Sequence, residues 1–380
     1  MSNLPVELLL AIAHWVKDLD SSLLFNLRLV SKTLNAVAAP LVLRAVTVRD
    51  DVQSADGFAC LQAGGAVTTN AVQEVVFQGN PAQGHVWGEE NISGEAGRAA
   101  LCISFSGLAK FRNLRILRFE FHNYFHRLRD SPTLNDTSHF LDLQLELFAV
   151  LAAHPPPPLV SLTLINITAA PHSLYVSEAF QNIFCPLRTL HISVICDNQR
   201  AGAYQQAPLC DFWEVSVPSV LKSATCLTSL NIRSDFPVGV RPAVPMTIHF
   251  PALTVLSLRN FILDPAHADY DILEFIVRHK STLTRLELDE CAVYGGEPRT
   301  YPRPWHAVLH RLRDELVGLR TLHLTPVESY VDPGPFGYLA LLPGTYYLED
   351  YQAATEAKDL NKAALQSMMS TVYSRRAQDP

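Results

Sequence analysis

Residues 283–288 read Leu-Thr-Arg-Leu-Glu-Leu, and this LxxLxL pattern decides the fold because the chain repeats it. The second and third apolar residues of the pattern are two positions apart, which is the period of a β-strand. Both side chains then point to one side of the strand, and the residues around them point to the other. A single strand cannot bury its apolar side alone, so neighbouring copies must stack in parallel.

The pattern occurs nine times between residues 43 and 327, with starts 26 to 45 residues apart. The full copies are Leu114, Leu117, Phe119; Leu159, Leu162, Leu164; Leu187, Leu190, Ile192; Leu227, Leu230, Ile232; Leu253, Leu256, Leu258; Leu283, Leu286, Leu288; and Leu319, Leu322, Leu324. The weaker copies are Leu43, Val46, Val48 and Val72, Val75, Phe77.

Apolar residues at helical spacing occupy three of the intervals between copies. These stripes are Phe140, Leu143, Leu147, Leu151; Leu273, Ile276, Val277; and Trp305, Val308, Leu309, Leu312, Leu316, the last opened by Pro304. Strands that alternate with helices indicate an α/β chain with a parallel sheet.

The repeated region, residues 43–327, resembles the leucine-rich repeats. The resemblance implies a solenoid with parallel strands inside and helices outside. It should be irregular, because the spacing of 26 to 45 residues is longer and less regular than the 20 to 29 residues usual in that family. Cys291 stands where the family prefers Asn or Cys. The alternative interpretation is that LxxLxL arises by accident in a leucine-rich chain.

Residues 4–42 predict three short helices. Their apolar stripes are Leu8, Ile12, Trp15, Val16; Leu23, Leu24, Leu27, Val30; and Leu34, Val37, Ala38, Leu41. Asp20 or Ser21 can cap the second helix and Ser31 the third, which Pro40 should end by pushing Ala39 out of helical backbone.

The opening Leu4-Pro5-Val6-Glu7-Leu8, the run from Leu27 to Lys32 and the Ala-Pro-Leu ending at Leu41 together resemble the F-box. The resemblance implies docking on the Skp-type adaptor of cullin-RING ubiquitin ligases. The residues to which this contact carries over are Leu4, Pro5, Leu8, Ile12, Leu27 and Val30. The alternative is a self-contained helical cap that packs its own leucines.

The chain therefore divides into an F-box at 1–42, a solenoid at 43–327, an irregular segment at 328–354, and a C-terminal capping helix and tail at 355–380. In the last segment, Leu360, Ala364, Met368 and Val372 recur every four residues, and Thr355 is a candidate cap. This helix should cover the open end of the solenoid. A partner-binding amphipathic helix is the alternative.

Composition limits the class of protein. With 48% hydrophobic and 18% charged residues the chain should fold nearly throughout, and its net charge of −7 argues against a nucleic-acid binder. No signal peptide and no apolar run of 18 residues are found, which predicts a soluble protein of the cytoplasm or nucleus without a membrane contact. Seven cysteines without a CxxC pair predict buried, reduced thiols.

No catalytic motif is present: the chain lacks GxSxG, HExxH and a phosphate-binding loop. His122 and His126 have metal spacing without a third ligand, and we interpret them as a solvated loop pair. We therefore expect no catalytic residue, no metal and no cofactor. The expected function is a ligase substrate receptor; the alternatives are a non-ligase adaptor or scaffold and an unrecognised hydrolase.

The polar side of the repeated strands is the candidate target surface. Its basic members are Arg118, His191, Arg233, Arg259 and Arg285. Arg233, Arg259 and Arg285 are predicted to form one row on three successive strands, where unpaired guanidinium groups would attract an acidic or phosphorylated protein segment. Glu287 and Asp289 could neutralise part of that row. A solvated face without a ligand is the alternative, as are target sites in the loops at 79–98 or 325–352.

Overall fold

The computed structural model describes residues 4–20, 22–79, 94–122, 138–196, 207–263, 269–295, 300–325, 336–341 and 347–377. The loop prediction for 79–98 falls largely outside these residues, and so does half of the segment 325–352. The described residues form a mixed α/β structure with a twelve-stranded, mostly parallel sheet whose strand order is open.

The elements follow one another in chain order. The strands are β1 (Ala45–Arg49), β2 (Glu74–Gln78), β3 (Ile116–Glu120), β4 (Ser161–Thr168), β5 (Thr189–Ile195), β6 (Ser229–Val238), β7 (Val255–Leu263), β8 (Arg285–Asp289), β9 (Ala292–Gly295), β10 (Thr321–Thr325), β11 (Gly337–Leu341) and β12 (Tyr347–Glu349). The helices are α1 (Val6–Leu19), α2 (Leu23–Val30), α3 (Lys32–Val42), α4 (Val52–Gln62), α5 (Ala66–Ala71), α6 (Glu95–Ser106), α7 (Ser138–Ala153), α8 (Glu178–Gln181), α9 (Ala207–Asp211), α10 (Val217–Ser223), α11 (Ile272–Arg278), α12 (Trp305–Glu315), α13 (Tyr351–Glu356) and α14 (Lys358–Ala377).

Two compact units make up the chain. The first unit contains Met1–His122 and Asp142–Thr163, and the second contains Asn123–Leu141 and Leu164–Pro380. In the first unit, β1, β2 and β3 are parallel neighbours. Their apolar positions share one register, because Val46 pairs with Val75 and Val75 with Leu117.

The second unit keeps the same register over five strands. Leu190 of β5 pairs with Leu230, Leu230 with Leu256, Leu256 with Leu286, and Leu286 with Leu322. These five side chains are 0 to 6% exposed, so the sheet places one buried apolar ladder across the unit. Each of the nine predicted LxxLxL copies therefore contains a strand, as predicted.

The three predicted helical stripes also form helices, namely α7, α11 and α12. Leu143, Leu147 and Leu151 are buried on α7, and the apolar residues of α12 are buried as well. Pro304 is the N-cap residue of α12. The interpretation as an α/β chain is confirmed.

Strands β9, β11 and β12 were not predicted, and the last two lie in the segment 328–354 that was interpreted as irregular. Strand β9 begins after a position at which the backbone departs from the regular strand conformation. Asn260 and Glu290 stand two residues after the last leucine of their copies and adopt positive φ angles of 60° and 50°. After this left-handed residue, the end of β7 pairs with β9 rather than with β8. Asparagine adopts positive φ angles more readily than most residues, so Asn260 is consistent with this conformation. Glutamate rarely does so, and the sequence therefore gives no sign of the left-handed backbone at Glu290.

Residues 4–42 form three helices with boundaries near the predicted ones. The Ser31 hydroxyl accepts a hydrogen bond from the Leu34 amide at 3.2 Å, which confirms the predicted cap. The prediction for Pro40 was wrong, because α3 continues through it to Val42. A proline disfavours helical backbone before it without forbidding it, and here Val37, Ala38 and Ala39 are buried, which stabilises the helical path.

Helix α14 packs on α12 in the second unit and buries Ala364, Met368 and Val372. The predicted stripe is wrong at one position: Leu360 is exposed, and the neighbouring Asn361 is buried in its place. Thr355 does not cap this helix, since it lies within α13, whose first turn is capped by Asp350. Arg375, near the end of α14, donates to the carbonyl oxygens of Arg313 and Leu316 at the end of α12.

Asn361 also caps the start of α12. Its Oδ1 atom accepts from the backbone amide of His306 at 2.9 Å, and its Nδ2 atom donates to the Tyr338 hydroxyl at 3.0 Å. The same hydroxyl accepts from the Trp305 amide at 3.3 Å. Two of the amide groups that a helix leaves unpaired at its start are thus satisfied by α14 and β11.

We expect Asn361→Ala to lower the free energy of unfolding by about 1 to 3 kcal/mol, because a buried amide of α12 loses its acceptor. Chemical denaturation at neutral pH measures this change. Asn182→Ala, at a surface position of the same unit, is the control and should change the free energy by less than about 0.5 kcal/mol. Equal stability of the two variants would show that the Asn361 contacts do not stabilise the fold.

Candidate functional site

The first candidate site is the surface of α1 and α2 in the first unit. Among the described residues, 22 large apolar side chains are exposed, and half of them lie between residues 4 and 30. These eleven are Leu4, Val6, Leu8, Leu10, Ile12, Trp15, Leu19, Leu23, Phe25, Leu29 and Val30. Such a concentration of exposed apolar side chains is typical of an interaction surface.

The core of the three-helix segment explains why these residues remain outside. Leu9 and Ala13 of α1 and Leu24 of α2 pack with Leu34, Val37 and Ala38 of α3. The predicted stripe of α1 was therefore wrong by one position. Leu8, Ile12 and Trp15 are 51, 39 and 66% exposed, and only Val16 of that stripe packs against the core.

The six residues predicted to contact an adaptor divide into two groups. Leu4, Pro5, Leu8, Ile12 and Val30 are exposed. Leu27 packs against the core and is only partly exposed. Leu8 and Ile12 are one helical turn apart on α1, so their side chains are neighbours. The sequence analysis did not select Phe25 and Leu29 of α2, although Leu29 is 85% exposed.

The second candidate site is the polar face of the sheet in the second unit, which we call the sheet face. It consists of the residues of β5, β6, β7, β8 and β10 that alternate with the buried apolar residues of these strands; Ser257 among them is itself buried. In strand order they are Thr189, His191, Ser193; Ser229, Asn231, Arg233; Val255, Ser257, Arg259; Arg285, Glu287, Asp289; and Thr321, His323, Thr325.

The predicted arginine row is wrong in register. Arg233 and Arg259 are paired neighbours on β6 and β7, but the next position on β8 is Asp289. Arg285 pairs instead with Val255, four residues earlier on β7, which corresponds to roughly 13 Å along the strand. The prediction compared residue types between copies without aligning their positions within the pattern.

Two arginines of the sheet face are neutralised by carboxylates. The Arg259 Nη2 atom is 2.7 Å from Glu290 Oε1, and its Nε atom is 3.8 Å from Asp289 Oδ2. The Arg285 Nε atom donates to Glu287 Oε1 at 2.8 Å. Burial acts to raise the pKa of the Glu287 carboxyl, but hydrogen bonds from Arg285 and Ser257 and the Arg285 charge hold it below its usual value. Glu290 was absent from the sequence analysis because it follows the strand.

Arg233 differs from these two. Its Nε atom donates to Asn231 Oδ1 at 3.3 Å, and within the described ranges its guanidinium group has no ion pair. Ser193 is its register partner on β5, and His191 is the register partner of Asn231. The predicted basic residue of the first unit, Arg118, is paired with Glu120 at 2.7 Å and lies 3.8 Å from Glu74.

His122 belongs to a buried pair and not to a solvated one. Its Nε2 atom lies 2.9 Å from Asp50 Oδ2, and both side chains are almost fully buried in the first unit. His126, its predicted neighbour, lies outside the described residues. In the part of the chain that the structure describes, no group of three or more His, Cys, Asp or Glu side chains could hold a metal ion.

All seven cysteines are free thiols, but only Cys196 and Cys291 are buried. The prediction of buried thiols was therefore wrong for Cys60, Cys185 and Cys226, which are exposed. The Cys291 thiol lies 3.6 Å from the Leu258 carbonyl oxygen, and burial raises its pKa to about 12. A thiol with such a pKa stays protonated and is not a nucleophile at neutral pH.

Among the described residues, no helix has the length and apolar character needed to cross a membrane.

The chain matches no protein-family model and no curated protein.

Proposed function

We propose that this chain is the substrate-recognition subunit of a cullin-RING ubiquitin ligase. Residues 1–42 would act as an F-box that docks a Skp-type adaptor, and the repeats would bind the target protein. The observation that carries the proposal is the cluster of eleven exposed apolar side chains on α1, α2 and the residue before them. A self-contained cap would bury those side chains, whereas a docking module presents them to a partner.

The remainder of the chain is proposed to be an irregular leucine-rich-repeat solenoid spanning residues 43–327. The constant register of the leucine ladder supports this, as does the same connection before each strand. The carbonyl oxygens of Thr228, Thr254 and Thr284 each accept two amide groups from the next copy. Cys291, which directs its thiol towards two backbone carbonyls, occupies the position of the family's Asn or Cys.

The proposed chain makes and breaks no covalent bond. Binding a target to one part of a ligase raises the effective concentration of its lysines near the conjugating enzyme, and proximity alone accelerates the transfer. This role needs no cofactor and no metal. It places the protein in the cytoplasm or nucleus, where the ubiquitin machinery acts. A scaffold protein that binds the adaptor without a cullin is the second candidate, since the same apolar surface serves both.

Reconstitution separates the two candidates. The full-length chain, purified Skp-type adaptor and cullin are mixed and analysed by size-exclusion chromatography. A ligase receptor should form a three-component complex, whereas a scaffold should bind only the adaptor. Absence of a complex with the adaptor itself would contradict both.

A further inference from the structure

We infer that the sheet face binds an extended peptide through one oxyanion, a carboxylate or a phosphate, and that Arg233 holds this group. The inference rests on the proposed function only in requiring that the repeats bind a protein. It replaces the predicted row of three arginines with a single anchor between β5 and β7.

Arg233 differs from the neighbouring arginines of the sheet face in its contacts. Arg259 and Arg285 already contact carboxylates, so an incoming anion would have to compete with Glu290 or Glu287 for them. In the part of the chain that the structure describes, Arg233 is hydrogen-bonded only through its Nε atom, which donates to Asn231. Its two Nη groups can form a bidentate pair of hydrogen bonds with a carboxylate or phosphate.

The nearest acid along the same strand forms no ion pair with Arg233. Asp235, two residues further on β6, directs both carboxylate oxygens to the backbone amide of Cys196, at 3.0 and 3.2 Å. Asp289 and Glu290 lie beyond Arg259. Within the described part of the sheet face, Arg233 is therefore the arginine that has no ion pair.

The surroundings favour a fixed geometry over a loose surface contact. Arg233 is half-buried, and its hydrogen bond to Asn231 holds the base of the guanidinium group. Ser193 is adjacent on β5, where its hydroxyl can donate a further hydrogen bond to the anion. A guanidinium group that is partly desolvated and held in place gains more binding free energy from an oxyanion than a freely mobile one. The held side chain loses less conformational entropy on binding.

The direct probe is a displayed library of random twelve-residue peptides selected on the immobilised full-length chain. The enriched peptides should share an acidic residue. Each is then synthesised with glutamate, glutamine or phosphoserine at that position, and fluorescence anisotropy measures its affinity. Glutamine should weaken binding by about tenfold. The stronger of the glutamate and phosphoserine forms identifies the source of the oxyanion.

Three variants test the location. Arg233→Gln should lower the affinity for the acidic peptide by about tenfold. Arg188→Gln makes the same charge change at an exposed position outside the sheet face and should have no effect. Glu290→Gln removes the negative charge that lies 2.7 Å from Arg259, the neighbour of Arg233, and should strengthen binding of the anion. The inference is overturned if no peptide is enriched, if the enriched peptides lack an acidic residue, or if Arg233→Gln behaves like Arg188→Gln.

These outcomes are independent of adaptor docking. Arg233→Gln should leave the affinity for a Skp-type adaptor unchanged. A chain that binds the acidic peptide but no adaptor retains the inference and contradicts the ligase proposal. A chain that binds the adaptor but no acidic peptide contradicts the inference and retains the ligase proposal.

Discussion

Full-length protein that carries Leu8→Ala and Ile12→Ala should bind a Skp-type adaptor on the order of a hundredfold more weakly than the unchanged protein. Truncating one anchor of an interface typically costs about 2 kcal/mol, which is roughly thirtyfold. The two side chains are one turn apart on α1, so their costs add only in part. Isothermal titration with purified adaptor measures the affinity.

The same change should leave the fold intact. Leu8 and Ile12 are 51 and 39% exposed, and the core of the helical segment is made by Leu9, Ala13 and their partners. Val67→Ala is the matched control, since Val67 is 64% exposed in α5 of the same unit and lies outside the proposed surface. If the double variant and the control bind the adaptor equally well, the F-box proposal is refuted.

The repeated strands could be predicted because the residues that define each strand are neighbours in the sequence. Leu230 and Ile232 are two residues apart, so both must lie on one side of a strand, and every copy places its leucines at the same offsets. A slip of one residue would expose the leucines and bury the polar residues, so such a slip is excluded. In the structure the copies align leucine with leucine, from Leu190 to Leu322.

Errors arose where local spacing left two answers open. On α1, Leu8, Leu9 and Leu10 are all leucine, so the sequence does not indicate which of them faces α3. The structure buries Leu9 and exposes the other two. The arginine row failed for a related reason: Arg285 lies just before the second apolar residue of its copy, whereas Arg233 and Arg259 lie just after the third apolar residue of theirs.

Side-chain hydrogen bonds and ion pairs between distant segments could not be predicted. Asn361 caps α12 from 55 residues away, and Glu290 neutralises Arg259 from 31 residues away. A buried asparagine within a helix and a glutamate with positive φ both contradict the usual preferences of these residues. Each is explained only by a partner that folding brings close.

His279 is another residue of this kind, and it makes the stability of the second unit depend on pH. Its ring is fully buried, accepts a hydrogen bond from the Phe250 amide at 2.9 Å through Nε2, and lies 2.8 Å from the Phe275 carbonyl oxygen through Nδ1. Both contacts are satisfied by the neutral ring. Burial lowers the pKa of His279 from 6.5 to about 4, and the charges of His249 and Arg278 act in the same direction.

The sign of the effect follows from the two states. Between about pH 6.5 and pH 4 the unfolded chain carries a proton on His279 and the folded chain does not. Stability is therefore fully present above about pH 6.5 and is lost as the pH falls towards 4. The loss should be on the order of 2 to 3 kcal/mol in the free energy of unfolding.

Urea unfolding at pH 7, 6, 5 and 4 of the unchanged protein and of His279→Gln measures this contribution. Glutamine does not titrate, so the variant should be less stable at pH 7 and should lose less stability on acidification. His310→Gln is the control, because His310 is an exposed histidine on α12 of the same unit and its loss leaves the buried contacts of His279 in place. Its pH dependence should follow that of the unchanged protein. Parallel pH profiles for His279→Gln and the unchanged protein would show that acid acts elsewhere in the fold.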